Sequence, residues 1–508
     1  MNICLRQSLS VIVFALLFCS VAKADTKGIR ASFFDMIDNP WTLAEQGKDE
    51  SNSSRFISDG LLVIKDGLIV DFGPFEEISP KHPGLKITAY QNRLIMPGLI
   101  DAHIHFPQTR VIGAYGEHLL DWLQDTIYPE EARYFDRAYA TYAAREFIHN
   151  ILAAGTTTFQ SFTTTRPVTT EVLFEEADRH NMRIITGVTG IDRNAPDYYK
   201  DTPESFYRNS KELIKKYHGK NRLLYAITPR FAFGSSREQM AMCQKLKEEH
   251  PDCWVNTHLA ETIPETNGVH EYYNDCKDYL AVYEKYGLVG PKFSGGHSVW
   301  LSDDEFQRMH DAGACAVFCP CSNFWLGSGL FQIGNATRPD RPVLIAAGTD
   351  MGGGNTFSML RVLNDCYKVG MLNNSVWNGV HSPSQKDPKR AARNKLSAYR
   401  AMYLATLGSA RALRLDKWLG NFEKGKEADF IVLNLDSGPE EQDWLISRQN
   451  VNQPKPGTDP NAAFTKGKDF PNTHEHSADC LLALIAVGDS RCVEETWIMG
   501  DRVWPLKR

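Results

Sequence analysis

The chain has 508 residues, 42% hydrophobic and 23% charged, with 56 basic against 62 acidic side chains and a formal net charge of −6. This is ordinary globular composition, long enough for one large domain plus a smaller one. It lacks the clustered Lys and Arg that nucleic acid selects, and the basic run Lys386–Arg393 reads as a solvated loop or helix start.

The N-terminus reads as an export signal. Arg6 is the basic start, Leu9–Ala22 is apolar apart from Ser and Cys, and Ala22-Lys23-Ala24 gives a small-x-small pattern before a cut at Asp25. The run is well short of the ~20 apolar residues of a membrane span. Cys19 raises a lipid anchor, which the bulky Phe18 in front of it argues against. Removal of residues 1–24 places the protein in the periplasm or outside the cell; an uncleaved anchor is the lesser alternative, and an unused signal leaves the chain in the cytoplasm. Nine cysteines follow the signal, too sparse for a disulfide scaffold. Cys480 and Cys492 flank a late hydrophobic segment and are the first pair to test for a bridge.

Residues 25–96 have strand character. Leu61–Ile64 and Leu68–Val70 are apolar runs around Lys65-Asp66-Gly67, a hairpin signal. From residue 97, eight strands alternate with helical segments: Leu99–His105, Thr156–Phe162, Arg183–Thr189, Leu223–Pro229, Trp254–His258, Phe293–His297, Cys315–Cys319 and Val343–Thr349. Helices are expected over Glu171–His180, Glu204–Tyr217 and Glu238–Glu249. Starts are signalled by Thr202-Pro203 and by capping boxes at Ser236/Gln239 and Ser302/Glu305. Eight such units imply an α/β fold, a closed (β/α)8 TIM-like barrel over 97–415. An open doubly wound sheet is the competing fold, but the chain has no early Gly-rich phosphate turn. Ser397–Leu413 reads as helix, and Phe430–Leu433, Leu481–Val487, Glu495–Met499 and Arg502–Trp504 as strands. Residues 416–508 should join 25–96 in a small β-sandwich, with a long insertion at about 437–476 rich in Pro, Asp, Asn and Gly.

In a barrel the C-terminal strand ends share one mouth, and here they carry chemistry. His103 and His105 stand two apart on one face of the first strand. His258 ends the fifth, with Glu261 three residues on; His297 ends the sixth; Asp350 follows the eighth; Arg230 and Phe231 follow the fourth. Three imidazoles and a carboxylate (His103, His105, His258 and Asp350) suit Zn²⁺, one ion per chain, and iron(II) fits the same ligands because affinity alone does not select. A metal of this kind makes hydroxide available near neutrality. Asp350 would manage the water's proton, Glu261 deliver one to the substrate, and His297 orient the hydroxide or stabilise developing charge. Arg230 and the Gln108 amide address a carbonyl, and Phe231 offers a face to a flat ring, which together describe a planar heterocycle.

These residues lie in segments that resemble the guanine deaminases of the amidohydrolase superfamily: Pro97–Gln108, Gly113–Glu117, Asp192–Tyr198, Thr228–Phe231, Thr257–Glu261, Cys319–Asn323 and Gly348–Asp350. The resemblance assigns the metal to His103, His105, His258 and Asp350, purine recognition to Gln108, Arg230 and Phe231, and proton transfer to Glu261 with His297. It implies conversion of guanine and water to xanthine and ammonia, in a homodimer that is normally cytosolic. Gly295-Gly296-His297-Ser298 and Phe233-Gly234 depart from the family pattern. Another amino-purine or a triazine ring, or a purine-binding protein without catalysis, are the alternative readings.

Overall fold

The computed structural model describes residues 26–116, 118–377, 380–381, 386–435 and 473–505. The expected signal and nearly all of the expected 437–476 insertion lie outside the described residues. Strands β1 (Thr26–Met36), β2 (Ser54–Lys65), β3 (Leu68–Pro74) and β4 (Lys86–Pro97) open the chain. The β2–β3 hairpin turns at Asp66 (φ 52°) and Gly67 (φ 80°), two left-handed residues in succession that match the twist of the strands they join.

The barrel follows. Its strands are β5 (Leu99–His105), β6 (Thr156–Phe162), β7 (Arg183–Thr186) with β8 (Thr189–Gly190), β9 (Leu223–Pro229), β10 (Trp254–Leu259), β11 (Phe293–His297), β12 (Cys315–Phe318) and β13 (Leu344–Ala347). They pair in parallel in chain order. The third position, expected as one strand over 183–189, breaks at Gly187-Val188, where the Val188 amide donates to the Tyr225 hydroxyl instead of a ladder carbonyl. The Asp350 amide donates to the His103 carbonyl at 2.8 Å and so links the last strand's end to the first. The strands are buried along nearly their whole length, as a helix-covered parallel sheet requires.

The expected helices form, as Pro167–Arg179, Pro203–Tyr217 and Arg237–Glu249. Ser236 accepts from the Gln239 amide, and Ser302 with Glu305 makes a complete capping box. Ser397–Leu413 is two helices, Ala398–Ala405 and Leu407–Ala412, separated by the non-helical Thr406. A two-stranded hairpin, β14 (Val376–Trp377) with β15 (Val380–His381), precedes them.

Strands β16 (Phe430–Leu433), β17 (Val493–Ile498) and β18 (Asp501–Trp504) return to β1–β4. Together they form one seven-stranded sheet in the order β18-β17-β16-β4-β1-β2-β3, so both ends of the chain build it, as expected. Leu481–Val487 is not a strand but the second half of a helix, His474–Val487. Its apolar run buries Cys480, Leu481, Leu484 and Ile485 and exposes Leu482, a helical period against the helix Met359–Leu372. Seven apolar residues in a row fit either period, and the tertiary neighbour decides.

A buried charge network joins sheet and barrel. Arg183 Nε donates to Glu427 Oε2 at 3.0 Å, and Arg222 Nη2 donates to Glu427 Oε2 and Asp429 Oδ2, both at 2.6 Å. Asp429 Oδ1 also accepts the Met499 amide at 2.9 Å. Truncation of one partner strands the others away from water. Arg222→Ala should therefore lower the unfolding free energy by about 3–5 kcal/mol, read as a lower urea midpoint with unchanged slope.

Candidate active site

His103 and His105 project from the end of β5, His258 from β10, His297 from the end of β11, and Asp350 stands just past β13. His297 (φ 67°) and Asp350 (φ 44°) both adopt left-handed backbone, costly for residues with a Cβ, so the chain is bent at two strand ends where their side chains turn inward. Ligand atoms of His103, His258, His297 and Asp350 lie within 4.8 Å of one another. His105 adjoins them: its Nε2 is 3.1 Å from His258 Nε2 and 3.3 Å from Asp350 Oδ1. His103 Nε2 is also 3.3 Å from Asp350 Oδ1. All five of these residues are buried.

Several of these atoms lack partners. Among the described residues, His103 Nε2, His297 Nε2 and Asp350 Oδ1 are buried without a hydrogen bond, an arrangement that costs free energy unless something else engages them. Burial pushes the His103, His105 and His258 imidazoles below their ordinary range, His105 and His258 strongly, with the surrounding cationic groups adding to the effect. Neutral imidazole is the form that binds a metal. Burial raises Asp350, but the neighbouring His103 and His297 outweigh it and hold the carboxyl below the usual range. The imidazoles of His103, His105 and His258 around the Asp350 carboxylate fit a divalent cation.

Outer contacts aim these groups. His258 Nδ1 lies 2.7 Å from the Arg230 carbonyl, and His297 Nδ1 lies 2.9 Å from Asn323 Oδ1, which directs each Nε2 to the centre. The His105 ring stacks on Phe162 at 4.6 Å. Asp101 Oδ2 accepts from the Thr349 hydroxyl at 2.5 Å, and Oδ1 accepts the Thr349 and His103 amides. One carboxylate thus grips the residues beside Asp350 and within the His-x-His pair.

Glu261 Oε2 is 3.4 Å from His297 Nε2, and Oε1 accepts from the Ser328 hydroxyl at 2.8 Å. Burial, with the nearby Asp350 charge, pushes Glu261 up to about 8, so it carries a proton at neutral pH. Glu265 Oε2 takes the Glu261 and Thr262 amides and completes a capping box with Thr262. Beside this wall opens a cavity of about 380 Å³ lined by Leu119, Thr262, Ile263, Trp300, Leu326 and Ser328.

Gln108 and Arg230 meet at Glu131. Gln108 Nε2 donates to Glu131 Oε1 at 2.8 Å, and Arg230 Nη1 donates to both oxygens at 3.1 and 3.0 Å. Phe231 packs with Ile191, Tyr199 and Leu326, its ring 6.3 Å from that of His258. The structure therefore brings every sequence-derived candidate to one barrel mouth. Four contributors escaped the sequence reading: Glu131, Ser328, Asn323 as the His297 partner, and Asp101 as the clasp. Glu131 lies in the helix Tyr128–Arg133, outside every segment that carries the resemblance, so no local signal marks it.

Residues 94–503 match the amidohydrolase family, and the chain belongs to that family. Guanine deaminase of Escherichia coli (strain K12) is 46% identical over 420 residues, covering 82% of this chain and 89% of that one. Guanine deaminase of Homo sapiens is 30% identical over 420 residues, 82% of this chain and 84% of that one. The crystal structure of guanine deaminase from Bradyrhizobium japonicum superposes with a TM-score of 0.88 at 55% identity, covering 94% of this chain and 99% of that one.

The raised Glu261 carboxyl gives a pH signature. In the native state it binds its proton more tightly than in the unfolded chain, so its stabilising contribution is present below about pH 4.5 and is lost as pH rises toward about 8. Chelator-treated protein should lose melting temperature across that interval. Glu261→Gln should flatten the loss, and two parallel profiles would contradict the assignment.

Proposed function

We propose that this protein hydrolyses guanine to xanthine and ammonia, with Zn²⁺ held by His103, His105, His258 and Asp350. What carries the reading is a protonated, buried Glu261 beside the unpartnered imidazole–carboxylate cluster at the mouth that also holds Arg230 and Gln108. The similarity to guanine deaminases over most of the chain supports the substrate. Iron(II) takes the same donors. When bound, the ion acts as a Lewis acid and lowers the pKa of water.

The chain's own groups do the rest. Arg230 and Gln108 hold the C6 carbonyl side of the purine, and Phe231 covers its flat face. Glu261 gives its proton to the ring nitrogen beside C2. His297, its Nδ1 turned to Asn323 Oδ1, presents Nε2 to the oxygen that bonds to C2. Asp350 accepts the proton of the attacking water. As the C2–N bond breaks, that proton leaves with ammonia, the proton of the C2 hydroxyl returns to Glu261, and the C2 carbonyl of xanthine remains. The buried walls around Glu261 and Phe231 limit access of bulk water.

Three sequence readings stand as proposals beside this one: export directed by residues 1–24, a homodimer, and a barrel unit over 97–415 flanked by 25–96 and 416–508. Among the described residues, no helix is long and apolar enough to cross a membrane. N-terminal sequencing of the mature chain and light scattering test the first two.

Metal analysis and an ammonia-release assay on protein starting at Asp25 test the function. Asp350→Ala should reduce bound metal from about one ion per chain to under about a tenth and abolish turnover. Glu261→Gln should keep metal and guanine binding while kcat falls about 10²–10⁴-fold, the usual contribution of a positioned acid. A metal-loaded enzyme that releases ammonia from another amino-purine or a triazine but not from guanine would overturn the substrate assignment.

A further inference from the structure

The contacts around Glu131 fix more than a salt bridge. The residue is fully buried, and the three side chains that reach it all donate. Gln108 Nε2 donates to Oε1 at 2.8 Å, Arg230 Nη1 bridges both oxygens, and the Tyr199 hydroxyl makes a short bond to Oε2. A carboxylate only accepts, so the Gln108 amide has to turn its NH₂ group toward Glu131. That follows from the partner's chemistry and not from which amide atom is labelled nitrogen. The carbonyl oxygen is then the atom Gln108 offers to a ligand. The side chain is confined from a second direction by Gly352, where an added Cβ would stand 2.1 Å from Gln108 Oε1 and 2.5 Å from its Cβ.

Arg230 has the complementary constraint. Among the described residues its side-chain hydrogen bonds to carboxylate are made through Nη1, which leaves its remaining N–H groups for a ligand acceptor. The Glu131 charge also compensates the guanidinium, so the pair favours a neutral ligand over an anion.

We propose that Glu131 is a positioning residue that sets the polarity with which the site reads a purine: Gln108 as acceptor, Arg230 as donor. This rests on the guanine reading above. An acceptor beside a donor matches the lactam edge of a 6-oxopurine, with N1–H facing Gln108 and the C6 carbonyl facing Arg230. A 6-aminopurine presents the reverse, an N1 lone pair toward Gln108 and an amino group toward Arg230. Both contacts are then lost, and a buried donor faces a donor. A site built to pair a polar edge rejects one lacking the matching groups far more strongly than an apolar pocket can. With the Gln108 amide unable to flip, it cannot adapt to the wrong edge.

Glu131→Gln tests this, because an amide at 131 can donate to or accept from Gln108 and so releases its orientation. The readouts are kcat/KM for guanine against 2,6-diaminopurine, whose C2 amine is equally available for hydrolysis, and the inhibition constants of hypoxanthine and adenine. The native enzyme should prefer the oxo member of each pair. In Glu131→Gln, the guanine-to-diaminopurine ratio should fall at least about 10-fold, mainly through KM, together with a narrower hypoxanthine–adenine gap, as expected when a charge-assisted contact is lost. Metal content should stay unchanged. If Glu131→Gln does not fold, Glu131→Asp keeps the charge beside Arg230 while its shorter carboxylate draws back from Gln108, and the ratio should fall in the same direction. A folded variant that loses activity on both purines equally, or keeps the native ratio, overturns the proposal. Failure of the native enzyme to act on guanine would instead overturn the functional reading, and the hypoxanthine–adenine binding gap would still report on Glu131.

Discussion

The hydrogen bond from the Asp350 amide to the His103 carbonyl ties the end of the eighth barrel strand to the first. At that contact the structural seam of the fold and the centre of its chemistry coincide. Asp350 and the two histidines of β5 are about 250 residues apart in sequence, a separation at which contacts are fixed by fold topology alone. Asp101 reinforces the seam by holding Thr349 on one side and the His103 amide on the other. Burial, with the carboxylate's bonds only partly offsetting it, raises Asp101 to about 6, so neutral pH keeps it in the accepting form that the clasp needs. The left-handed backbone at Asp350 and His297 can persist because these surrounding bonds over-determine the two strand ends.

The site divides its charges between two places. Near the cluster, Asp350 stays ionised beside His103 and His297, while burial and then the Asp350 charge keep Glu261 protonated. Opposite environments thus give one acceptor and one proton donor from the same functional group. Further along the mouth, Glu131 and Arg230 bury a full pair of charges in which Tyr199 and Gln108 satisfy remaining carboxylate lone pairs. Such a pair contributes little net stability, since desolvation offsets attraction, and its value lies in fixed orientation.

What could be read from the sequence follows this division. The strand ends were legible because alternating apolar and helical segments fix a barrel, and a barrel collects strand ends whatever their identity. His103, His105, His258, His297 and Asp350 needed only that rule. Ser302/Glu305 and Thr202-Pro203 were legible because caps are local. Leu481–Val487 was misread as strand because a short apolar run carries no period, and only the helix Met359–Leu372 beside it selects the helical one. Glu131, 23 residues from Gln108 and 99 from Arg230, was not legible at all. Nothing near it in the chain distinguishes it from an exposed helical glutamate, and its partners arrive through tertiary packing.

That contrast bears on how such a site acquires its substrate. The histidines and Asp350 stand on strand ends, and the barrel alone brings those ends to one mouth. Glu131, which holds Gln108 and Arg230, lies in the segment between β5 and β6, whose helices Leu119–Trp122 and Tyr128–Arg133 flank a π-helical turn over Leu123–Ile127. Trp122, Leu123, Ile127 and Tyr128 pack there with Phe231 and Tyr199 in one apolar cluster. An extra residue per turn rotates the following helix by roughly 100°, about one residue's worth of helical arc. Glu131 lies four residues after that turn, so the turn sets which face of its helix meets Gln108 and Arg230. One connecting segment thus orients Gln108 and Arg230 through Glu131, while strand ends of the barrel carry the buried histidine–carboxylate cluster.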